Sequence, residues 1–92
     1  MKQEQAEIVA IQALGWICAE DDLASVFMGA TGASADDLRN RADDPAFLGS
    51  VLEFLLMDDG NVMAFCDAHG LPYQTPMVAL NALPGLGQVH WR

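Results

Sequence analysis

The chain has 92 residues, 52% of them hydrophobic, and 13 acidic against four basic residues give it a net charge of −9. That length sets one domain, and the apolar content is too high for a disordered segment. The charge excludes a nucleic-acid surface and an anionic-membrane surface, because affinity for phosphates comes mainly from cations. Two cysteines cannot build a multi-disulfide framework.

Helix formers dominate: 14 Ala and 11 Leu stand against nine Val and Ile together. The expected fold is all-α, a compact bundle of five or six short helices, which are either two repeated helical units or helix–turn–helix units that share caps and core periodicity without duplication. A single helical domain is expected over 1–86, with a flexible tail over 87–92.

The first helix is expected from about Glu4 to Ala19. It carries acids in its opening turn, which suits the helix dipole. Its residues Ile8, Val9, Ala10, Ile11, Ala13, Leu14, Trp16 and Ile17 point in every direction. A helix apolar all round is normally enclosed, but a domain this small struggles to enclose it fully, so something else is expected to cover one face. Glu20-Asp21-Asp22 ends it. Asp21 then caps a short second helix running to about Ala30, and Gly32 closes that helix as a C-terminal glycine.

Ser34 caps the third helix, and Ser34-x-x-Asp37 is a capping box with a shortened acid. Asp44-Pro45 marks the clearest boundary. Aspartate is a strong cap, and proline suits the first helical position because its missing N–H would have no partner there. The fourth helix spans Pro45 to about Met57 and is apolar over more than half its circumference. Asp58-Asp59-Gly60-Asn61 breaks it, and a fifth helix continues to His69, stopped by Gly70. After the Leu71-Pro72 turn, Thr75-Pro76 repeats the cap-plus-proline signal for a short sixth helix ending at Pro84-Gly85.

An internal repeat appears at an offset of 38 residues: Leu14 falls on Leu52, Asp21 on Asp59, Phe27 on Phe65, Ala30 on Ala68 and Gly32 on Gly70. Trp16 and Phe54 match in kind. The recurring unit is an apolar helix, an acidic break, a short helix carrying a Phe and a closing Gly. Two such units are too few for an open solenoid, so the halves must pack on each other.

Ala13-Leu14-Gly15-Trp16-Ile17, Asp44-Pro45-Ala46-Phe47-Leu48, Val51-Leu52-Glu53-Phe54-Leu55-Leu56, Ala64-Phe65-Cys66 and Leu83-Pro84-Gly85 together carry a resemblance. In these stretches the chain resembles a family of small, acidic, all-helical bacterial proteins, known from alphaproteobacterial genomes and classed as a domain of unknown function. The resemblance covers about residues 5 to 85 and consists of core and cap residues in a fixed order. It implies a helical fold and a reducing cytoplasm, and it brings no activity, cofactor or catalytic residue.

Candidate chemistry is sparse. Cys66-Asp67-Ala68-His69 sets a thiol and an imidazole one helical turn apart, which could be half a zinc site or an activated cysteine. Zinc needs further ligands, and Cys18 and His90 sit in no recognisable pair. A helix C-terminus also opposes thiolate formation. The expected role is a buried Cys beside a His that bonds the last helix carbonyls, and both thiols read as helix core. The acid pairs Asp21-Asp22, Asp36-Asp37, Asp43-Asp44 and Asp58-Asp59 all fall at helix starts, where caps belong, and they lack calcium-loop spacing. Arg39 and Arg41 are expected to pair with Asp43 and Asp37 at i,i+4. The segment from Phe65 to Leu80 resembles a helix-turn-helix in outline, but its second helix has no basic residue to meet a phosphate.

No catalytic residue, metal or cofactor is therefore expected. Met1 to Glu7 carries two acids where a signal peptide carries cations, and the longest charge-free apolar run, Ile8 to Ala19, is short of a roughly 30 Å membrane core. These features place the chain in the cytoplasm. The function read from the sequence is a non-catalytic helical interaction module that pairs with itself as a twofold dimer, or with another protein, with Trp16 and Phe54 near the contact. The competing reading is a small-ligand protein or enzyme with a pocket near Cys66 and His69.

Overall fold

The computed structural model describes residues 1–83. Six helices run in order: α1 (Gln3–Cys18), α2 (Asp21–Thr31), α3 (Ala35–Asn40), α4 (Pro45–Leu56), α5 (Asp59–His69) and α6 (Thr75–Ala82). No strand occurs among the described residues, and the fold is all-α. The tail expected over 87–92 lies outside the described residues.

Local chemistry sets most boundaries. Ser34 accepts from the Asp37 N–H while the Asp37 carboxylate accepts from the Ser34 N–H, a reciprocal box that starts α3. The Asp44 side chain accepts from the Ala46 N–H at 3.0 Å, with Pro45 in the first turn of α4. Asp58 does the same for Gly60 at 2.8 Å at the head of α5. Gly32 and Gly70 close α2 and α5 at φ 75° and 65°, the left-handed conformation in which a side chain is strained.

Two starts differ from expectation. Asp21 is the first residue of α2, not its cap; Glu20 holds the cap position without a side-chain bond, so Asp21 and Asp22 act through the dipole of the first turn. In α6, Thr75 is likewise helical and Gln74 precedes it, with Pro76 in the first turn. Proline tolerates either early position, which makes it a coarse marker.

The 38-residue offset holds in three dimensions. α2 and α5 begin and end at residues 38 apart, and α1 and α4 end 38 apart. The halves exchange aromatic contacts reciprocally. Trp16 of α1 meets Phe65 of α5 edge-on at 6.1 Å, while Phe54 of α4, the counterpart of Trp16, meets Phe27 of α2 at 5.2 Å. Each long helix therefore packs an aromatic ring on the short helix of the other unit.

α1 and α4 form the centre, and α6 packs against both. α4 buries Phe47, Leu48, Gly49, Val51, Leu52, Phe54 and Leu55, so its broad apolar arc is consumed internally. α1 is not enclosed all round. It buries Ala6, Val9, Ala10, Ala13, Leu14 and Ile17, but Ile8 and Ile11 face solvent. Among the described residues, α2, α4 and α6 pack on α1 and leave these two side chains exposed. No described helix is long and apolar enough to cross a membrane.

Candidate functional site

α5 carries the pair singled out by sequence. Cys66 is fully buried, and its thiol donates to the Pro72 carbonyl at 3.4 Å. Burial and the neighbouring Asp67 carboxylate both push that thiol above its ordinary value, so it stays protonated at neutral pH. His69 is exposed and lies against the Phe65 ring, centroids 4.8 Å apart. No hydrogen bond joins the two residues. Nor does His69 cap the helix, as expected from its position: the Gly70 and Leu71 N–H groups both reach the Cys66 carbonyl, and the left-handed glycine makes that closure possible.

Cys18 is a second correction. It is exposed at the end of α1 and is not part of the core. Partial desolvation raises its thiol pKa as well, so neither cysteine is poised as a nucleophile. No group of three or more metal-ligating side chains occurs among the described residues.

The arginines pair differently from the i,i+4 expectation. Arg39 bridges to Asp36 at 3.2 Å and Arg41 to Asp44 at 3.1 Å. α3 ends at Asn40, so helical spacing no longer applies to Arg41, and the turn swings its guanidinium to the Asp44 cap. Its bond holds the Asp44 carboxyl below the usual carboxylate range. The same guanidinium lies 5.2 Å over the Phe47 ring, a cation–π contact that joins the turn to the core. Both arginines are thereby engaged locally.

The concave surface lies elsewhere. The end of α1, the outer side of α2 and the first half of α5 frame a groove of about 500 Å³. Trp16, Ala19, Leu23, Val26 and Ala64 supply its apolar lining, and among the described residues Glu20 and Asp22 are the charged ones there. Trp16 is half-buried, held on one edge by Phe65, so the indole is a fixed wall. A smaller groove of about 280 Å³ beside α4 includes Phe54, Glu53 and Met57. Neither includes Cys66 or His69.

The two aromatic residues nominated for an interface thus have different surroundings. Trp16 forms a wall of the larger groove, whereas Phe54 is 8% exposed, its ring set against Phe27. Leu23, Val26 and Ala64 escaped sequence reasoning because they come from two helices that are brought together only by the fold. The acidic break at Glu20-Asp21-Asp22 was the one signal that marked this end of the molecule.

No curated protein and no solved structure matches the chain. A family match covers residues 3–86, in line with the order of core and cap residues from Ala13 to Gly85. The chain belongs to the family described as "Protein of unknown function (DUF3572)".

Proposed function

We propose that the protein is a non-catalytic interaction module of the bacterial cytoplasm, which self-associates and offers its larger groove to a basic, apolar segment of a second protein. The groove carries this reading. An apolar lining with Trp16 as a rigid wall gives an anchor side chain a place to be desolvated. Glu20 and Asp22 select for cations in the same segment, and among the described residues no basic side chain lines the groove. The exposed Ile8 and Ile11 support self-association through the outer face of α1.

The test uses two synthetic amphipathic helices, one of Leu and Lys and one of Leu and Glu, titrated against the full chain with Trp91→Phe so that Trp16 reports alone. The Lys peptide is expected to shift Trp16 emission and the Glu peptide to leave it unchanged. The Glu20→Gln/Asp22→Asn double variant should weaken binding roughly five- to tenfold, as expected for two partly exposed ion pairs. The Asp36→Asn/Asp43→Asn double variant removes the same charge away from the groove and should bind as the parent does. Equal losses in both variants would mean diffuse attraction to a net charge of −9 and would refute the groove.

A second reading, a small-molecule site, is favoured by the volume of about 500 Å³, which falls in the size range of ligand pockets. It moves that alternative from Cys66 and His69 to Trp16.

A further inference from the structure

The outer face of α1 has a spacing that the monomer does not use. Glu4, Ile8, Ile11, Gly15 and Cys18 are all exposed. Steps of four, three, four and three residues hold them within an arc of about 80° on a helix. That is the a/d spacing of a two-helix seam. Its centre is apolar: Ile8 is 56% exposed and Ile11 46%. Next to them stands Gly15, where an added methyl group would meet nothing within 4 Å. Among the described residues nothing calls for glycine there, and glycine is a poorer helix former than alanine. A second backbone approaching closely would call for it.

We infer that this face is the seam of an antiparallel twofold dimer, α1 against α1 of a second copy, crossing at Ile11. The inference rests on the proposal that the chain self-associates, and it names the surface and the orientation. In this register Ile11 meets the partner's Ile11 on the axis. Ile8 lies over the partner's Gly15, where the missing side chain admits it. Glu4 comes beside the partner's Cys18.

Charge decides the orientation. A parallel pair would set Glu4 and Glu7 against their own copies, and Glu20, Asp21 and Asp22 against theirs. The antiparallel pair brings Lys2, one of only four cations in the chain, and the positive end of the helix dipole towards the partner's Glu20, Asp21 and Asp22. A seam of two heptads is small, so the dimer is of the transient class. Each copy carries −9, so the dimer tightens as salt screens the mutual repulsion.

Sedimentation equilibrium of the full chain from about 10 µM to 1 mM in moderate salt should show the mass rising from 9.9 kDa towards the dimer. Ile11→Glu should raise the dissociation constant at least tenfold without loss of helical circular dichroism. Met57→Glu adds the same charge at a site 75% exposed on another helix and should leave the dimer unchanged. Mild oxidation fixes the orientation. Glu4→Cys with native Cys18 should give a covalent dimer, whereas native Cys18 alone should not, since the two copies stand about 20 Å apart along an antiparallel pair. A monomer throughout the range overturns both self-association and the seam. A dimer that survives Ile11→Glu, or one that crosslinks through Cys18 alone, overturns the seam and leaves self-association standing.

Discussion

Gly29 and Gly32 lie three residues apart and respond in opposite ways to the same substitution. Gly29 is helical and exposed, and a methyl group added there meets nothing within 4 Å. Gly29→Ala should therefore stabilise the fold by about 0.5–1 kcal/mol, since alanine gives up less backbone freedom on folding. Gly32 has equally open space but a φ of 75°. Gly32→Ala should cost about 1–2 kcal/mol, the penalty for placing an L side chain in the left-handed region. Urea denaturation of both variants measures this, and similar shifts in the same direction would contradict it. The contrast also bears on Gly15. Like Gly29 it has open space and no positive φ, so Gly15→Ala should stabilise an isolated subunit while loosening the proposed seam.

At the scale of elements, the reciprocal aromatic exchange adds to the packing of α1 on α4 and α6 that joins the two units. Phe27 is fully buried and touches both Phe47 and Phe54 edge-on, at 6.1 and 5.2 Å. Its counterpart Phe65 is also fully buried but meets the half-exposed Trp16. Phe27→Ala should cost about 3–5 kcal/mol, the range for emptying a well-packed aromatic site. Trp16→Ala should cost clearly less, because water already covers part of the indole and can fill the space left. Thermal unfolding of the two variants distinguishes them, and an equal loss would mean that Trp16 is as structural as Phe27. The elements themselves were legible where their cause is local. Ser34, Asp44, Gly32 and Gly70 act on N–H and C=O groups within five residues, so their type and position sufficed. Sequence anticipated that so small a domain leaves part of α1 uncovered, but it misjudged α4, whose broad apolar arc is buried inside the bundle because four helices surround it. It misjudged Arg41 because the i,i+4 rule presumes a helix that stops at Asn40. The groove was illegible for the same reason: Trp16, Val26 and Ala64 share no period, only a place in the fold.

Over the whole molecule, charge and packing pull against each other. Thirteen carboxylates are spread over a body with principal extents of 31 × 27 × 22 Å. The ion pairs Asp36–Arg39 and Arg41–Asp44 are at the surface and join residues three apart. Such pairs contribute little, and neither holds two distant elements together. No charged or polar residue is buried among the described residues, so the core gains nothing from electrostatics. The balance left is self-repulsion, which an acidic surface exerts on its own compact state. Salt at 0.1 M reduces its range to about 10 Å, well below the size of the molecule, while hydrophobic burial persists. Raising sodium chloride from about 10 to 300 mM should therefore stabilise the fold by roughly 1 kcal/mol, or about 4–8 °C in Tm for a chain of this size. The measurement belongs on the Ile11→Glu variant at low concentration, where pairing of subunits does not contribute. A Tm that falls with salt would mean that the two surface pairs outweigh the repulsion among thirteen acids, and that the net charge is not what limits the stability of this bundle.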